Sequence, residues 1–130
     1  MELKEAIQNR KSEREMCGSL TVEEIKLFWW VAYKIPSAGA LYPLTIMYFN
    51  ANMATNFVIC ADFKKTTVKY GERGKRYVYM EAGHMAQNIS LTATEMGFAC
   101  YCIGEFDDEK MKQMLKTELN PIYIIRVGHK

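Results

Sequence analysis

Between Gly74 and Phe98 the chain reads GKRYVYMEAGHMAQNISLTATEMGF, without a proline. Val78, Ala82, Met85, Ile89 and Met96 recur there at steps of three and four, interrupted only by Thr92. The spacing predicts one long helix with a continuous apolar face that needs a sheet to cover it. At 1.5 Å per residue such a helix runs about 35 Å, the width of a small domain, so the rest of the chain is expected to pack around it. A neighbouring stripe, Tyr79, Gly83, Ala86, Ser90, Ala93 and Gly97, is mostly small. An interior glycine costs a helix roughly 1 kcal/mol relative to alanine. Gly83 therefore suggests close approach by another helix, a cofactor or a partner chain, with plain helix packing the simplest form.

The remaining pattern alternates short helices and strands. Residues 2 to 9 place Leu3, Ala6 and Ile7 among charges, as in a short amphipathic helix, and the chain turns near Cys17 and Gly18. Thr21 and Glu24 form a capping box that opens a helix from about Val22 to Tyr33, with Ile25, Phe28, Trp29, Val31 and Ala32 on its apolar side. Pro36 and Pro43 bracket a loop. Leu44 to Phe49 and Asn56 to Ala61 have the β-branched and aromatic content of strands, and the few residues between them suit an antiparallel pair. Asp62 to Arg73 is polar and charged. Ala99 to Ile103 reads as a buried strand, Asp107 and Asp108 open a helix through about Lys116, and Pro121 to Val127 is a final strand. Four strands and four helices in this order predict an α+β fold: a mixed, mostly antiparallel sheet packed on the long central helix, with flanking helices.

With 130 residues the chain is expected to form a single domain spanning residues 1–130. Hydrophobic residues make up 49%, which excludes a disordered chain, and the net charge of +2 is carried by intermixed acids and bases. No basic stripe of the kind a nucleic acid requires stands out. No run is long enough to span a membrane. Cys17, Cys60, Cys100 and Cys102, in a chain without a visible export signal, are expected to be reduced thiols of a cytoplasmic protein.

Several groupings could carry chemistry. Arg10, Ser12 and Arg14 place two guanidinium groups and a hydroxyl close together, the donor set a phosphate monoester needs; a solvated charged turn is the plain alternative. Pro36, Ser37, Ala38, Gly39, Ala40, Leu41, Tyr42 and Pro43 combine stiffness with small side chains, which suits a wall for a flat ring or an anion, or equally a tight turn. Ile103 to Asp107 passes from a strand end through Gly104 to a helix start, a place where ligands meet free amides. Cys100 and Cys102 lie two apart on a strand, their sulfurs on one face in poor geometry for a bridge. They read as core thiols rather than as metal ligands with His84 or His129, and His84 as a structural residue. Lys69 beside Tyr70 could stabilise a phenolate and make a proton acceptor, provided the backbone bends, since neighbours in an extended segment point apart.

The order of these stretches, an Arg-Lys-Ser-x-Arg turn, then PSAGALYPL, then KYGERGKRYVYMEAGHMAQN, then IGEFDD, resembles the nitroreductase-like flavoproteins, and among them the SagB-type dehydrogenases. The resemblance implies a nitroreductase-like fold and an FMN-dependent oxidoreductase, usually a homodimer with two flavins at the subunit interface. It implies hydride transfer between flavin N5 and a small-molecule or peptide-borne substrate, with NAD(P)H or another redox partner. It assigns Arg10, Ser12 and Arg14 to the phosphate and ribityl chain, and Pro36, Ser37, Ala38 and Gly39 to the loop one subunit lays against the other's flavin. Gly104 and Glu105 fall beside N5, and Lys130 is the candidate for the basic residue that holds the phosphate after the last strand. Lys69 and Tyr70 match the Lys-Tyr pair that removes a proton in the azoline-oxidising branch.

The chain departs from that pattern in two places. It has only Tyr33, Lys34 and Ile35 before PSAGALYP and only Asn50 to Thr55 between its first two strands, where relatives carry substrate-covering segments. A flavin-binding or interaction module lacking turnover is the alternative that these short connections raise.

Overall fold

The computed structural model describes residues 1–130. Its elements are α1 (Leu3–Asn9), α2 (Val22–Ala32), β1 (Leu44–Ala51), β2 (Ala54–Ala61), α3 (Lys64–Tyr70), α4 (Gly74–Met96), β3 (Ala99–Ile103), α5 (Asp108–Leu115) and β4 (Asn120–Gly128). The strands form one sheet in the order β1-β2-β4-β3, antiparallel at every pairing. β1 and β2 close as a hairpin through Asn52 and Met53, both at positive φ (52° and 60°), the backbone that matches the twist of the flanking strands.

β2 is buried at all eight positions because both faces of the sheet are covered. Phe57, Ile59 and Ala61 point into the main core with Val78, Met85 and Ile89 of α4 and Phe28 of α2. Val58 and Cys60 point the other way, toward a smaller cluster with Ile124 that Met111 and Leu115 of α5 cover. Phe28 is fully buried, its ring 5.6 Å from Phe57 and 6.1 Å from Phe98. The expected capping box holds it in place: Thr21 Oγ1 accepts from the Glu24 amide and Glu24 Oε1 accepts from the Thr21 amide at 2.8 Å.

The long helix is present and faces the sheet as its periodicity requires. It stops at Met96 because Gly97 takes a left-handed φ of 78° and turns Phe98 back into the core. One expectation is corrected, and the reading of Gly83 is narrowed to its cofactor and partner-chain alternatives. Asp62 to Arg73 folds into α3 and a tight 3-10 turn at Gly71–Arg73 that runs directly into α4, so there are five α-helices rather than four. The segment shows no apolar period, since only Thr66 is buried and Val68 is 86% exposed; packing against α4 supplies what local pattern does not. The glycine that permits close helix contact is Gly74, where a Cβ would lie 3.2 Å from the Thr66 backbone of α3. Gly83 has open space around it.

Residues 13 to 18 run along the outer edge of the sheet. The Glu13 amide donates to the Cys100 carbonyl at 3.0 Å, and Cys17 and Gly18 exchange backbone bonds with His129. That segment covers an edge which would otherwise be open for pairing; Arg14 lies within it, and Arg10 and Ser12 immediately precede it.

Candidate active site

The loop from Pro36 to Pro43 is held in a strained shape. Gly39, Ala40 and Tyr42 have φ values of 63°, 54° and 46°, and two of these are side-chain-bearing residues in the left-handed region, a cost of order 1 kcal/mol each that surrounding structure must offset. Ser37 supplies part of it. Its carbonyl accepts from the Ala40 amide at 2.9 Å and its Oγ accepts from the Tyr42 amide at 3.0 Å.

Lys69 and Tyr70 meet this loop. Measured from the position a Cβ on Gly39 would take, Tyr70 Oη lies at 2.9 Å and Lys69 Nζ at 3.2 Å. The two residues close helix α3 and are not in an extended segment, which removes the objection that neighbours point apart. Lys69 Nζ lies 5.4 Å from the centre of the Tyr70 ring, and Tyr77 of α4 braces that ring edge-on at 5.2 Å. Ammonium and phenol thus converge on the one residue of the loop without a side chain.

Sequence reasoning missed the residues of α4 that hold the loop from beneath. Asn88 Nδ2 donates to the carbonyls of Val31 at 2.9 Å and Lys34 at 3.0 Å, tying down the end of α2 where the loop begins. Two turns earlier, Glu81 is only 4% exposed and sits against Ser37 and His84. Burial pushes the Glu81 carboxyl above its ordinary range, opposed by the Ser37 hydroxyl and the nearby His84. Pro36, Ser37, Ala38, Tyr77, Met80, Glu81 and His84 enclose a cleft of about 260 Å³. The signal was available in MEAGHMAQN, where Glu81, His84 and Asn88 fall at i, i+3 and i+7 on one side of the helix. His84 itself is exposed at the cleft rather than packed among apolar neighbours.

The basic candidates lie at the other edge of the sheet. Arg10 is half-buried near Cys100, and the Arg14 guanidinium stacks over Tyr101 at 5.1 Å. Neither belongs to any of the four ion pairs of the chain, and Ser12 is exposed beside them. Two uncommitted guanidinium groups and a hydroxyl fit a phosphate monoester. Lys130 fits less well, since its Nζ is paired with Glu13 at 3.2 Å. Gly104 and Glu105 are exposed directly after β3, with open space where a Gly104 side chain would stand. β1 and β3 are the two outer strands, so the loop and the arginines stand about 14 Å or more apart across the sheet. A single chain does not bring them together.

Cys100 and Cys102 point to one face as expected, each sulfur 3.8 Å from Ser90 Oγ, and all four cysteines are free. No group of three or more His, Cys, Asp or Glu side chains is arranged to hold a metal ion. No helix is long and apolar enough to cross a membrane.

Residues 44–129, about two thirds of the chain, match the model of the nitroreductase family. The chain belongs to the nitroreductase family. A protein of Methanocaldococcus jannaschii whose name places it among the nitroreductases is 30% identical over 182 aligned positions, which take in 100% of this chain and 92% of that one. The family fold is equally plain in solved structures. The chain superposes on NfrA1 nitroreductase from B. subtilis with a TM-score of 0.86 at 21% identity, covering 98% of this chain and 66% of that one. A nitroreductase family protein from Streptococcus pneumoniae gives 0.85 at 16% identity, covering 99% and 90%. NADPH:FMN oxidoreductase from Vibrio harveyi, solved with NAD+, gives 0.83 at 17% identity, covering 98% and 68%. Membership in the nitroreductase family makes the chain an oxidoreductase by kind and accounts for the α+β sheet over a long central helix.

Proposed function

We propose that this nitroreductase-family chain is an FMN-dependent oxidoreductase of the SagB-type dehydrogenase branch, a single FMN-binding domain that works as a cytoplasmic homodimer on a small or peptide-borne substrate. The observation that carries the reading is the convergence of Lys69 Nζ and Tyr70 Oη on Gly39. A proton acceptor placed against a loop of small residues is what a dehydrogenase needs beside a flat cofactor.

The two half-sites support the homodimer. Arg10, Ser12 and Arg14 would hold the cofactor phosphate and ribityl chain, Gly104 and Glu105 would meet its ring system, and Lys130 would join them after release from Glu13. Pro36, Ser37, Ala38 and Gly39 lie across the sheet from these and would complete the site of the other subunit. Tyr79 and Met80 of α4 are more than half exposed and Gly83 is open, which leaves this stretch of the long helix free for a second copy. Free thiols at all four cysteines suit a reducing compartment.

FMN, when bound, supplies the two-electron acceptor or donor. In a dehydrogenation the Tyr70 oxygen, as a phenolate stabilised by the Lys69 ammonium, would take the proton that leaves one substrate atom as the adjacent C–H gives up its hydride. After a dehydrogenation an oxidised redox partner would have to take up the two electrons; NAD(P)H would serve in the opposite direction, as the hydride donor when the substrate is reduced.

An absorption spectrum of the purified protein, with chromatography of the cofactor that heat releases, tests the reading. About one FMN per chain, lost when Arg10→Ala and Arg14→Ala are combined, is expected; a colourless protein that takes up no added FMN overturns it. Tyr70→Phe should keep FMN and slow dehydrogenation, and unchanged turnover would remove Tyr70 from the mechanism. A flavin-binding module without turnover is the second reading. The 182 positions needed to align this 130-residue chain with its relative favour it, because they show internal segments missing here. Stoichiometric FMN with neither NAD(P)H oxidation nor dehydrogenation would select it.

A further inference from the structure

Glu81 is the only acidic or basic residue among the buried residues of the chain. It takes part in none of the four ion pairs. A carboxylate offers about four lone-pair sites, and the Ser37 hydroxyl can fill one. Burial without a counter-ion is costly, and burial raises the Glu81 carboxyl against the opposing effects of Ser37 and His84. The acid nevertheless lines an open cleft rather than a sealed core, and the other walls are Ser37, the Tyr77 ring, the Met80 thioether, the faces of Pro36 and Ala38, and the exposed His84 imidazole, the one basic group there.

Such a cleft has the chemistry of a cation site with an apolar surround. An ammonium group brings the missing positive charge and three donors, while an aromatic face and a soft sulfur favour a cation and the carbon body attached to it. We propose that the cleft between the Pro36–Ala38 segment and α4 binds the protonated amine of an organic ligand, with Glu81 receiving the ammonium and Tyr77 and Met80 flanking its apolar body. Pro36, Ser37 and Ala38 also belong to the loop assigned to the cofactor. The proposal thus makes an amine-bearing molecule the substrate class, and to that extent it rests on the reading above. Binding itself requires no turnover.

The test is a titration of the purified full-length protein, at the flavin content it carries on isolation, with benzylamine and separately with its neutral counterpart benzyl alcohol at pH 8. The readout is the NMR signal of the Met80 ε-methyl group, assigned by its loss in Met80→Leu. Benzylamine should shift this signal saturably and bind at least tenfold more tightly than benzyl alcohol. Glu81→Gln should abolish that preference. Equal binding of the two compounds, an unmoved Met80 signal, or an unchanged preference in folded Glu81→Gln would each overturn the proposal. The comparison of the two compounds on the natural chain stands even if a variant fails to fold. Flavin content, read by absorbance on the same sample, reports separately on the cofactor assignment.

Discussion

Tyr70 Oη stands 2.9 Å from the point where a Cβ on Gly39 would be. The contact joins the end of α3 to a loop 31 residues earlier in the chain, and Lys69 Nζ shares it at 3.2 Å. Gly39 is required there for two reasons. Its φ of 63° disfavours any side chain, and a methyl group would displace the ammonium and phenol from the loop.

Gly39→Ala should therefore separate stability from chemistry. The backbone conformation costs about 1 kcal/mol, and the clash itself costs little because Lys and Tyr tips can move. In urea unfolding the variant should lose about that much, while any turnover that depends on the Lys69–Tyr70 pair should fall at least tenfold. Tyr70→Phe in the same background should recover little of the stability loss, since that loss lies in the Gly39 backbone rather than in the contact.

Local pattern carries most of the architecture. The α4 periodicity, the Thr21–Glu24 capping box and the apolar composition of the strands each express a face that the fold buries. α3 was not legible, because KKTTVKY buries only Thr66 and owes its helix to α4. The site divides in the same way. PSAGALYP and the Lys69–Tyr70 pair could be picked out as candidates, but their meeting at Gly39 depends on how α3 returns to the loop. Asn88 and Glu81 were passed over because a polar residue on a long helix ordinarily faces water. Only the tertiary structure shows their partners to be Val31, Lys34 and Ser37. The separation of Arg10 and Arg14 from the loop follows from the strand order, which no local signal contains.

Glu24 links the start of α2 to the end of the chain through a 2.9 Å contact with His129 Nε2. Burial raises its carboxyl, but the Thr21 amide and hydroxyl and the His129 ring outweigh burial and hold it below its ordinary value of 4.5. A carboxyl depressed in the folded state contributes stability above its unfolded value and loses it as pH falls through the folded one. Glu24→Gln retains an acceptor for the capping box and removes the charge. Its deficit in urea unfolding should be present at pH 7, shrink below pH 4.5 and vanish at lower pH; a deficit constant with pH would show that the charge contributes nothing.

The four thiols should differ sharply in reactivity. Cys17 is exposed, whereas burial pushes Cys60 up to about 11 and Cys100 up to about 12. Because the thiolate is the nucleophile, iodoacetamide at pH 8 should label Cys17 first in the folded protein. Cys60 and Cys100 should react only on unfolding. Peptide mass spectrometry over a labelling time course reads the order directly, and early modification of Cys100 would contradict its burial on β3 against Ser90 of α4.

Asn88 offers a sharper test, because its amide donates to two carbonyls, those of Val31 and Lys34. Removing the donor strips the side-chain bond from both acceptors and leaves the Val31 carbonyl only its backbone bond from the Lys34 amide at 3.2 Å, a loss of about 1–3 kcal/mol when the groups are shielded from water and less where water replaces the amide. Asn88→Ala should accordingly destabilise by about 1–2 kcal/mol in urea. Asn88→Asp has nearly the same shape but presents only acceptors at neutral pH, so it should destabilise more than alanine does, although it is the closer substitution. The order matters more than either magnitude. If aspartate proves milder than alanine, the side chain serves by volume alone, and the anchoring of the α2 end and the following loop to α4 must come from elsewhere.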